Sequence, residues 1–276
     1  MAKKLWPFAR LRRNRRACRS NISGTLFDGC GILPLVPMLG SIDKNDVRLF
    51  GPVLDFMLPP RCPGCAAIVE QDHRFCGPCW SQLQFLTAPG CARCSRPLGV
   101  ADDLMCANCM ARPPDYDAVI AAVAYGDIAK RVVLRLKYAR RPGLARTIAM
   151  VIADRLPDDG ILVPVPLHRW RLWQRGFNQS VAIARAIEKR RGIACDVTLL
   201  RRQRATPSLR GLGPNQRMQA VRGAFSVAGR LDGQHILLID DVLTTGATAN
   251  SCAKALKKAG AARVTLVCWA RVVPDD

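Results

Sequence analysis

The chain has 276 residues, of which 49% are hydrophobic and 23% charged, a composition typical of a soluble globular protein with room for about two domains. No stretch approaches the roughly 20 consecutive apolar residues of a membrane-spanning helix, and no apolar signal region follows the basic N-terminus, so we expect no membrane span and a cytoplasmic protein. The formal net charge of +21 favours anionic partners such as nucleic acid or phosphorylated metabolites, although an arginine-rich composition can also simply reflect a GC-rich genome.

The N-terminal part of the chain divides into a basic arm and a cysteine-rich region. Residues 1–46 carry nine Lys or Arg against three Asp, a net charge of +6, and show no apolar periodicity, which is typical of a disordered arm. Apolar residues then recur at helical spacing up to Leu58, so we expect a short helix that ends before Pro59 and Pro60. This helix and the cysteine-rich region would form a domain over 47–112, which is too small to be stabilised by apolar burial alone.

Eight of the thirteen cysteines form four Cys-x-x-Cys pairs. These pairs are Cys62/Cys65, Cys76/Cys79, Cys91/Cys94 and Cys106/Cys109. Two intervening residues let both thiolates face one metal ion, and two pairs complete a tetrahedral zinc site. We therefore predict two structural zinc sites, with sequential and interleaved pairing both compatible with the spacing; thiol exchange is the weaker alternative, because it usually employs a single pair. Four thiolates leave no open coordination position, so the zinc would stabilise the fold and not catalyse a reaction.

From residue 113 onward, strand and helix patterns alternate. Strands are predicted in "YDAVIAAVAYG", "GILVPVPL", "ACDVTLL", "GAFSVAG", "HILLID" and "ARVTLVCWARV". Helices are predicted on the apolar face from Ile128 to Leu136 and in "PGLARTIAMVIADRL", "NQSVAIARAIEKRRG" and "GATANSCAKALKKAG". Residues 201–222 are expected to form a long polar loop. The alternation predicts an α/β domain over 113–276, with a mostly parallel sheet and helices on both of its faces.

Two adjacent carboxylates, Asp240 and Asp241, stand at the carboxyl end of the "HILLID" strand, where ligands of open α/β sheets bind. The next residues form a short turn into a helix and are Thr244, Thr245, Gly246, Ala247 and Thr248. Free N–H groups at a helix start, together with Thr hydroxyls and a glycine, can hold a phosphate group. The carboxylates must then serve sugar hydroxyls or a divalent cation, and a phosphorylated ribose meets both requirements. The alternative is a strand end and a helix cap without a ligand.

Basic residues are placed where they could contact the anionic part of such a ligand. Arg169, Arg171 and Arg175 follow the "VPVP" strand end, and a guanidinium group matches phosphate geometry. Arg175 is the first candidate for a contact with the anionic part of the ligand, whereas a solvated basic turn explains the other two equally well. Lys137 either reaches the same site or lies on the surface. Residues 201–222 contain six Arg and no acidic residue, which predicts a mobile lid over a polyanion or a contact to single-stranded DNA.

The segment "ILLIDDVLTTGAT" resembles the phosphoribosyl pyrophosphate motif of type I phosphoribosyltransferases. This resemblance implies that Asp240 and Asp241 hold the ribose 2- and 3-hydroxyls, and that the five residues from Thr244 to Thr248 bind the 5-phosphate. It also implies that Pro164–Leu167 forms a pyrophosphate loop and that Mg²⁺ accompanies the pyrophosphate.

The wider pattern resembles the ComF family, whose members join a double zinc ribbon to a phosphoribosyltransferase-like domain. The resemblance includes "LKYARRPGLA", "VPVPLHRWRLWQRGFNQS", "RRQRAT" and "RGAF", and it extends from about Val53 to Val272. It implies a phosphoribosyltransferase or a binder of phosphoribosyl pyrophosphate. The acceptor is not identified, because Thr244 stands where some superfamily members carry an acidic residue that acts on a purine base. The alternative is an accessory protein of DNA uptake in natural competence, which binds single-stranded DNA and other uptake proteins without turnover.

Overall fold

The computed structural model describes residues 59–86, 90–98, 105–138, 141, 143–204 and 213–273. The predicted basic arm and the predicted helix that ends at Leu58 therefore lie outside the described residues. No helix within the described ranges is long and apolar enough to cross a membrane.

The described ranges contain an alternation of helices and strands, numbered here in chain order. The helices are α1 (Gly77–Ser81), α2 (Ala107–Ala111), α3 (Asp127–Tyr138), α4 (Leu144–Ile152), α5 (Arg169–Arg175), α6 (Gln179–Arg191), α7 (Pro214–Val221) and α8 (Ala247–Lys258). The strands are β1 (Ala118–Ala124), β2 (Ile161–Pro164), β3 (Leu200–Arg202), β4 (Phe225–Val227), β5 (His235–Leu243) and β6 (Arg263–Arg271).

Four strands form a parallel sheet in the order β1-β6-β5-β2. Ile239 of β5 is in register with Val267 of β6 on one side and with Pro164 of β2 on the other. All four strands run in the same direction, so their carboxyl ends meet at one edge. The predicted parallel sheet is confirmed, and Asp240 follows Ile239 at that edge.

Both faces of the central strands are buried. Leu237 and Ile239 of β5 pack into one cluster with the apolar sides of α3, α4 and α6. Ile236 and Leu238 point to the opposite face and pack with α8, β3 and β4. All four side chains are fully buried, and burying each of them stabilises the fold by roughly 1.5–3 kcal/mol. The predicted arrangement of helices on both faces is confirmed.

Two cysteine-rich ribbons, the first at residues 62–79 and the second at 91–109, pack against this core. Helix α1 overlaps the end of the first ribbon and α2 overlaps the end of the second. The ring of Phe75 stacks on Trp269 of β6 with a centroid separation of 6.2 Å and an interplanar angle of 2°. The first ribbon therefore shares its apolar contacts with the sheet.

The second ribbon is hydrogen-bonded to the segment that enters β1. Arg93 Nη1 donates to the backbone carbonyl of Tyr116 at 3.1 Å, and the hydroxyl of Ser95 donates to the carbonyl of Val119. Because these acceptors belong to the backbone, the ribbon is attached to β1 by contacts that do not depend on the side chains of β1.

The strand predicted in "ACDVTLL" is wrong. Cys195 forms only an isolated parallel bridge with Leu162, and the chain then turns, because Asp196 Oδ1 accepts the N–H groups of Thr198 at 2.8 Å and Leu199 at 3.0 Å. This side-chain turn competes with a strand ladder. The real strand is β3, which starts at Leu200 and pairs antiparallel with β4.

The long polar loop predicted over residues 201–222 is also wrong in its described part. Its first residues belong to β3, and Pro214–Val221 is helical. Gln216 Oε1 accepts the N–H of Gly213 at 3.0 Å, and proline fits the first helical position because its missing N–H needs no partner there. Residues 205–212, the middle of the predicted lid, lie outside the described residues.

Arg169 and Arg171 belong to a helix and not to the solvated basic turn considered from the sequence. His168 Nδ1 accepts the N–H of Trp170 at 3.3 Å at the start of α5. Gly176 ends the helix in the left-handed region at φ 78°, where glycine avoids the steric penalty of a Cβ.

Candidate functional site

Strand β5 continues through both predicted carboxylates and ends at Leu243. Asp241 is buried and Asp240 is half-buried. Asp240 Oδ1 accepts the backbone N–H of Asp241 at 2.9 Å and lies 3.3 Å from the hydroxyl of Ser180, at the start of α6. Sequence reasoning missed Ser180, since nothing in the local pattern links a helix start to a strand so distant in the chain.

Lys137, in the last turn of α3, forms an ion pair with Asp241 Oδ2. The lysine therefore reaches the site, which the sequence left open. The pKa of Asp240 is raised to about 7, first because its carboxyl group is buried and second because Asp241 is adjacent; the Asp241 N–H and Lys137 act in the opposite direction. A site with one ion pair and a second, partly protonated carboxyl group can both accept and donate hydrogen bonds.

The turn after β5 leads directly into α8. Gly246 adopts φ 76° and ψ 0° immediately before the helix, a left-handed conformation that glycine adopts without steric cost. Thr244 and Thr245 are exposed, Ala247 is buried and Thr248 is half-buried. The first N–H groups of a helix have no intrahelical acceptor, so this turn presents donors and hydroxyl groups beyond the two carboxylates.

The predicted pyrophosphate loop begins where β2 ends, next to β5. The N–H of Val165 donates to the carbonyl of Ile239 at 2.9 Å, and Asn178 Nδ2 donates to the carbonyl of Val165 at 3.0 Å. Asn178 also accepts the N–H of Ser180 through Oδ1 at 2.9 Å. The loop, the start of α6 and the carboxylate edge are thus connected by hydrogen bonds.

Arg175 lies at the end of α5, beside this loop. Its Nη1 donates to Gln179 Oε1 at 3.3 Å, and its guanidinium carbon lies 5.4 Å from the ring centroid of Tyr138. A cation–π contact of this kind contributes about 0.5–1 kcal/mol at an exposed site. Tyr138 was not predicted, because an aromatic residue at a helix end gives no signal of its role in the sequence.

A mostly apolar groove of about 800 Å³ adjoins the same loop. Residues of the loop, α5 and α6 line it and include Pro164, Pro166, Leu167, Leu172, Arg175 and Phe177. On the outer side of α5, the rings of Trp170 and Trp173 are 60% and 75% exposed and stack with centroids 5.2 Å apart.

The eight paired cysteines form two separate clusters. One consists of Cys62, Cys65, Cys76 and Cys79, and the other of Cys91, Cys94, Cys106 and Cys109. Sequential pairing is therefore the arrangement in the structure. Within each cluster all sulfur atoms lie within 4.8 Å of one another, and the Sγ atoms of Cys65 and Cys76 are 3.6 Å apart. Four sulfurs around zinc at about 2.3 Å are separated by about 3.8 Å, so both clusters fit a tetrahedral zinc ion.

Backbone donors favour the thiolate form in both clusters. The N–H of Cys76 donates to Cys62 Sγ, and that of Cys106 to Cys91 Sγ, each at 3.3 Å. Burial acts to raise the pKa of Cys62 and of Cys91, but donation from these and neighbouring N–H groups outweighs it and lowers each pKa to about 6. Thiolates are the form that binds metal, so the donor set supports the double-ribbon interpretation.

Comparison with known proteins agrees with both parts of the fold. Residues 53–110 match the double zinc ribbon domain and residues 174–272 match the phosphoribosyl transferase domain. The chain is 31% identical to "DNA utilization protein YhgH" of Salmonella typhi, over 66% of this chain and 84% of the relative. It is 27% identical to "Competence protein F" of Haemophilus influenzae, over 72% and 85% respectively.

Among solved structures, a glutamine phosphoribosylpyrophosphate amidotransferase from B. subtilis superposes on 49% of this chain and 30% of its own, with a TM-score of 0.35 and 19% identity. The sequence relatives and the two domain matches, in the order found here, identify the family. The chain belongs to the ComF family, in which a double zinc ribbon precedes a phosphoribosyltransferase-like domain.

Proposed function

We propose that this chain binds phosphoribosyl pyrophosphate, or a related ribose 5-phosphate, at the carboxyl edge of its sheet. The main support is the arrangement of β5, its two carboxylates and the turn into α8. Ionised carboxylates accept hydrogen bonds from ribose hydroxyls, and the N–H groups at a helix start donate to phosphate. Ribose 5-phosphate carries both a diol and a phosphate group, so a single ligand of this kind can use the carboxylates and the turn together.

Each part of the edge has a role in this proposal. Asp240 and Asp241 accept the ribose hydroxyls, and Thr244–Thr248 hold the 5-phosphate. The segment Pro164–Leu167 and Arg175 face the pyrophosphate group, whose negative charge a guanidinium group can match with two parallel hydrogen bonds. Mg²⁺ would arrive with the pyrophosphate and partly neutralise it.

Transfer of the phosphoribosyl group to an acceptor is the further step of this proposal. The chain would contribute by orienting the ribose and by stabilising the charge of the departing pyrophosphate. The turn from Thr244 to Thr248 contains no Asp, Glu or His, so a general base would have to come from elsewhere or from the acceptor. Release of pyrophosphate, measured across a set of nitrogenous acceptors, tests this step.

Calorimetric titration with phosphoribosyl pyrophosphate and MgCl₂ tests the binding proposal. We expect saturable binding by the wild-type chain and a loss of at least about 100-fold with Asp240→Asn combined with Asp241→Asn, because hydrogen bonds to charged groups contribute about 1.5–3 kcal/mol each. Asp154→Asn with Asp158→Asn is the matched control, since both carboxylates are exposed and pair with arginines of α6. Absence of wild-type binding, or equal binding by the Asp240 and Asp241 double variant, would refute the proposal.

A second candidate function is binding of single-stranded DNA by the outer side of α5. The specific observation is the exposed, stacked pair of Trp170 and Trp173, with Arg169 and Arg171 on the same short helix. Aromatic faces stack on bases at about 1–3 kcal/mol each without strong sequence preference, and arginines contact the phosphate backbone. The name "DNA utilization protein" of a relative agrees with this chemistry.

Fluorescence anisotropy with a labelled oligothymidine at two salt concentrations tests this second function. Trp170→Ala with Trp173→Ala should weaken binding about tenfold or more, whereas Arg169→Gln should reduce the salt dependence. Met110→Ala, which removes an exposed apolar side chain from α2, is the control. Unchanged affinity of the double tryptophan variant would exclude α5 as the DNA contact.

A further inference from the structure

The C-terminal turn of α3 supplies one side chain to the pair of carboxylates and another to Arg175. Lys137 forms an ion pair with Asp241, and its neighbour Tyr138 lies under the guanidinium group of Arg175. The Lys137 and Asp241 side chains are only 21% and 7% exposed. An ion pair so far removed from water is screened little by salt.

Helix α3 is fixed in place by contacts on two sides. Val132, Val133 and Leu136 are fully buried in the core on one side of the sheet. Arg135, two residues before Lys137, donates through Nη1 to the carbonyl of Pro63 in the first ribbon at 3.0 Å. The backbone of Lys137 is therefore held by packing that does not involve the ligand site.

Among the residues that the structure describes, Lys137 is the cation in an ion pair with the two carboxylates. Asp240 receives the Asp241 N–H from its own strand and faces the Ser180 hydroxyl of α6. The thiols of Cys252 in α8 and Cys268 in β6 lie close enough for the charge of Asp240 to raise their pKa values, in each case in addition to the larger effect of burial. Neither thiol offers a positive charge to the pair of carboxylates.

We propose that Lys137 is a positioning residue of this site, which holds the Asp241 carboxylate in the orientation that accepts a ribose hydroxyl and offsets its repulsion with Asp240. The inference rests on the proposed binding function and deepens it. Two adjacent carboxylates repel each other when both are ionised, and the ammonium group of Lys137 offsets that repulsion. With Lys137 in place the pKa of Asp240 is about 7. Without the ammonium group the pair keeps its proton to a higher pH and has less acceptor capacity for the ribose diol at neutral pH.

Titration of phosphoribosyl pyrophosphate with MgCl₂ at several pH values tests this role. Lys137→Met should weaken binding about tenfold at pH 7, and the pH at which affinity reaches half of its maximum should move up by about one unit, since loss of one nearby charge shifts a carboxyl pKa by roughly this amount. Lys137→Arg should restore most of the affinity and the wild-type pH midpoint. A purely structural role would lower stability and leave the pH midpoint in place.

Lys257→Met is the matched control. Lys257 forms an ion pair with Asp117, with 2.6 Å between Nζ and Oδ2, and this pair does not lie at the carboxylate edge. It should lower stability without changing the pH midpoint of binding. If Lys137→Met does not fold, Lys137→Gln provides the same loss of charge with a polar side chain.

A ligand-free measurement separates failure of this inference from failure of the proposed function. Carbon-13 NMR of the aspartate carboxyl groups should show that Asp240 titrates at a higher pH in the Lys137→Met or Lys137→Gln variant than in the wild type. If the wild type binds no ligand, the binding function fails, and an unchanged Asp240 titration then overturns the positioning role as well. If the wild type binds, equal affinity and an equal pH midpoint in the variants overturn the positioning role alone.

Discussion

The hydroxyl of Tyr116 lies against Gly246, the residue immediately before α8. A Cβ placed on Gly246 would be 3.3 Å from Tyr116 Oη and 3.5 Å from Leu243 Cδ1. The backbone of Gly246 also lies in the left-handed region at φ 76°. Both the conformation and the available space therefore require glycine in this turn, and the second ribbon contributes because Arg93 holds the carbonyl of Tyr116.

Gly246→Ala should lower stability more than Gly192→Ala. Both glycines have a left-handed conformation, at φ 76° and 72°, but nothing lies within 4 Å of a Cβ on Gly192. Each variant should lose about 1–2 kcal/mol from the backbone conformation, and Gly246→Ala about 1 kcal/mol more because Tyr116 must move. Urea unfolding measures the difference. Equal losses of stability in the two variants would mean that the Tyr116 side chain moves aside without lowering the stability.

Asp240→Asn should stabilise the protein above neutral pH. The pKa of Asp240 is 3.8 in the absence of the fold and about 7 in it, so ionisation of this group opposes folding progressively as the pH rises from about 4 to 7. We expect the variant to be more stable than the wild type by roughly 1–3 kcal/mol at pH 8, with the difference vanishing near pH 4. Thermal unfolding across this pH range measures it.

Asp117→Asn should change the stability in the opposite direction from Asp240→Asn. The pKa of Asp117 is lowered, because the hydrogen bond and charge of Lys257 and the N–H of Val264 outweigh the effect of burial. Ionised Asp117 therefore stabilises the fold at pH values above the pKa that the group has in the unfolded chain. The stability that Asp117→Asn loses should become smaller as the pH falls. A wild type more stable than Asp240→Asn at pH 8 would contradict the assignment of a raised pKa to Asp240.

Each of the two cysteine clusters should bind one zinc ion independently of the other. We expect about two zinc ions per chain, and about one after Cys62→Ser or Cys91→Ser, because each substitution removes one thiolate from a different four-sulfur site. Cys195→Ser, which lies outside both clusters, should keep both ions. Atomic emission spectroscopy gives the ratio, and a strong chelator should lower the melting temperature because binding of the metal contributes folding free energy. Full zinc content in Cys62→Ser would disprove its role as a ligand.

Asn178 has two separable roles, which different substitutions can resolve. Its Oδ1 caps α6 at the N–H of Ser180, and its Nδ2 holds the carbonyl of Val165. Asn178→Ala loses both bonds and should cost about 1–2 kcal/mol. Asn178→Asp keeps the cap but not the donor, so it should retain most of the stability while the Val165 segment loses its hydrogen bond. Hydrogen exchange at the amides of Val165 and Leu167 measures that second effect; identical exchange in wild type and Asn178→Asp would contradict it.

Several parts of the fold could be predicted because their causes are local. The Cys-x-x-Cys spacing places two thiolates on one metal, and the "HILLID" run followed by Asp240 and Asp241 predicts a buried strand with a polar end. Helix α7 was missed although a local signal exists, namely Gly213, Pro214 and Gln216 at the spacing of a helix start. The strand predicted in "ACDVTLL" was wrong for a local reason as well, since Asp196 satisfies the backbone N–H groups that a strand would have paired.

The sequence by itself determined the family, the eight cysteines of the ribbons and the loop that follows β5, since each depends on spacing within a short segment. Only the tertiary structure decided that the pairs close sequentially, that Lys137 meets Asp241 and that Tyr138 lies under Arg175. The contacts of Lys137 and Tyr138 join segments far apart in the chain. Their geometry follows from the order of parallel strands and the packing of α3 on the first ribbon, which no local pattern of residues specifies.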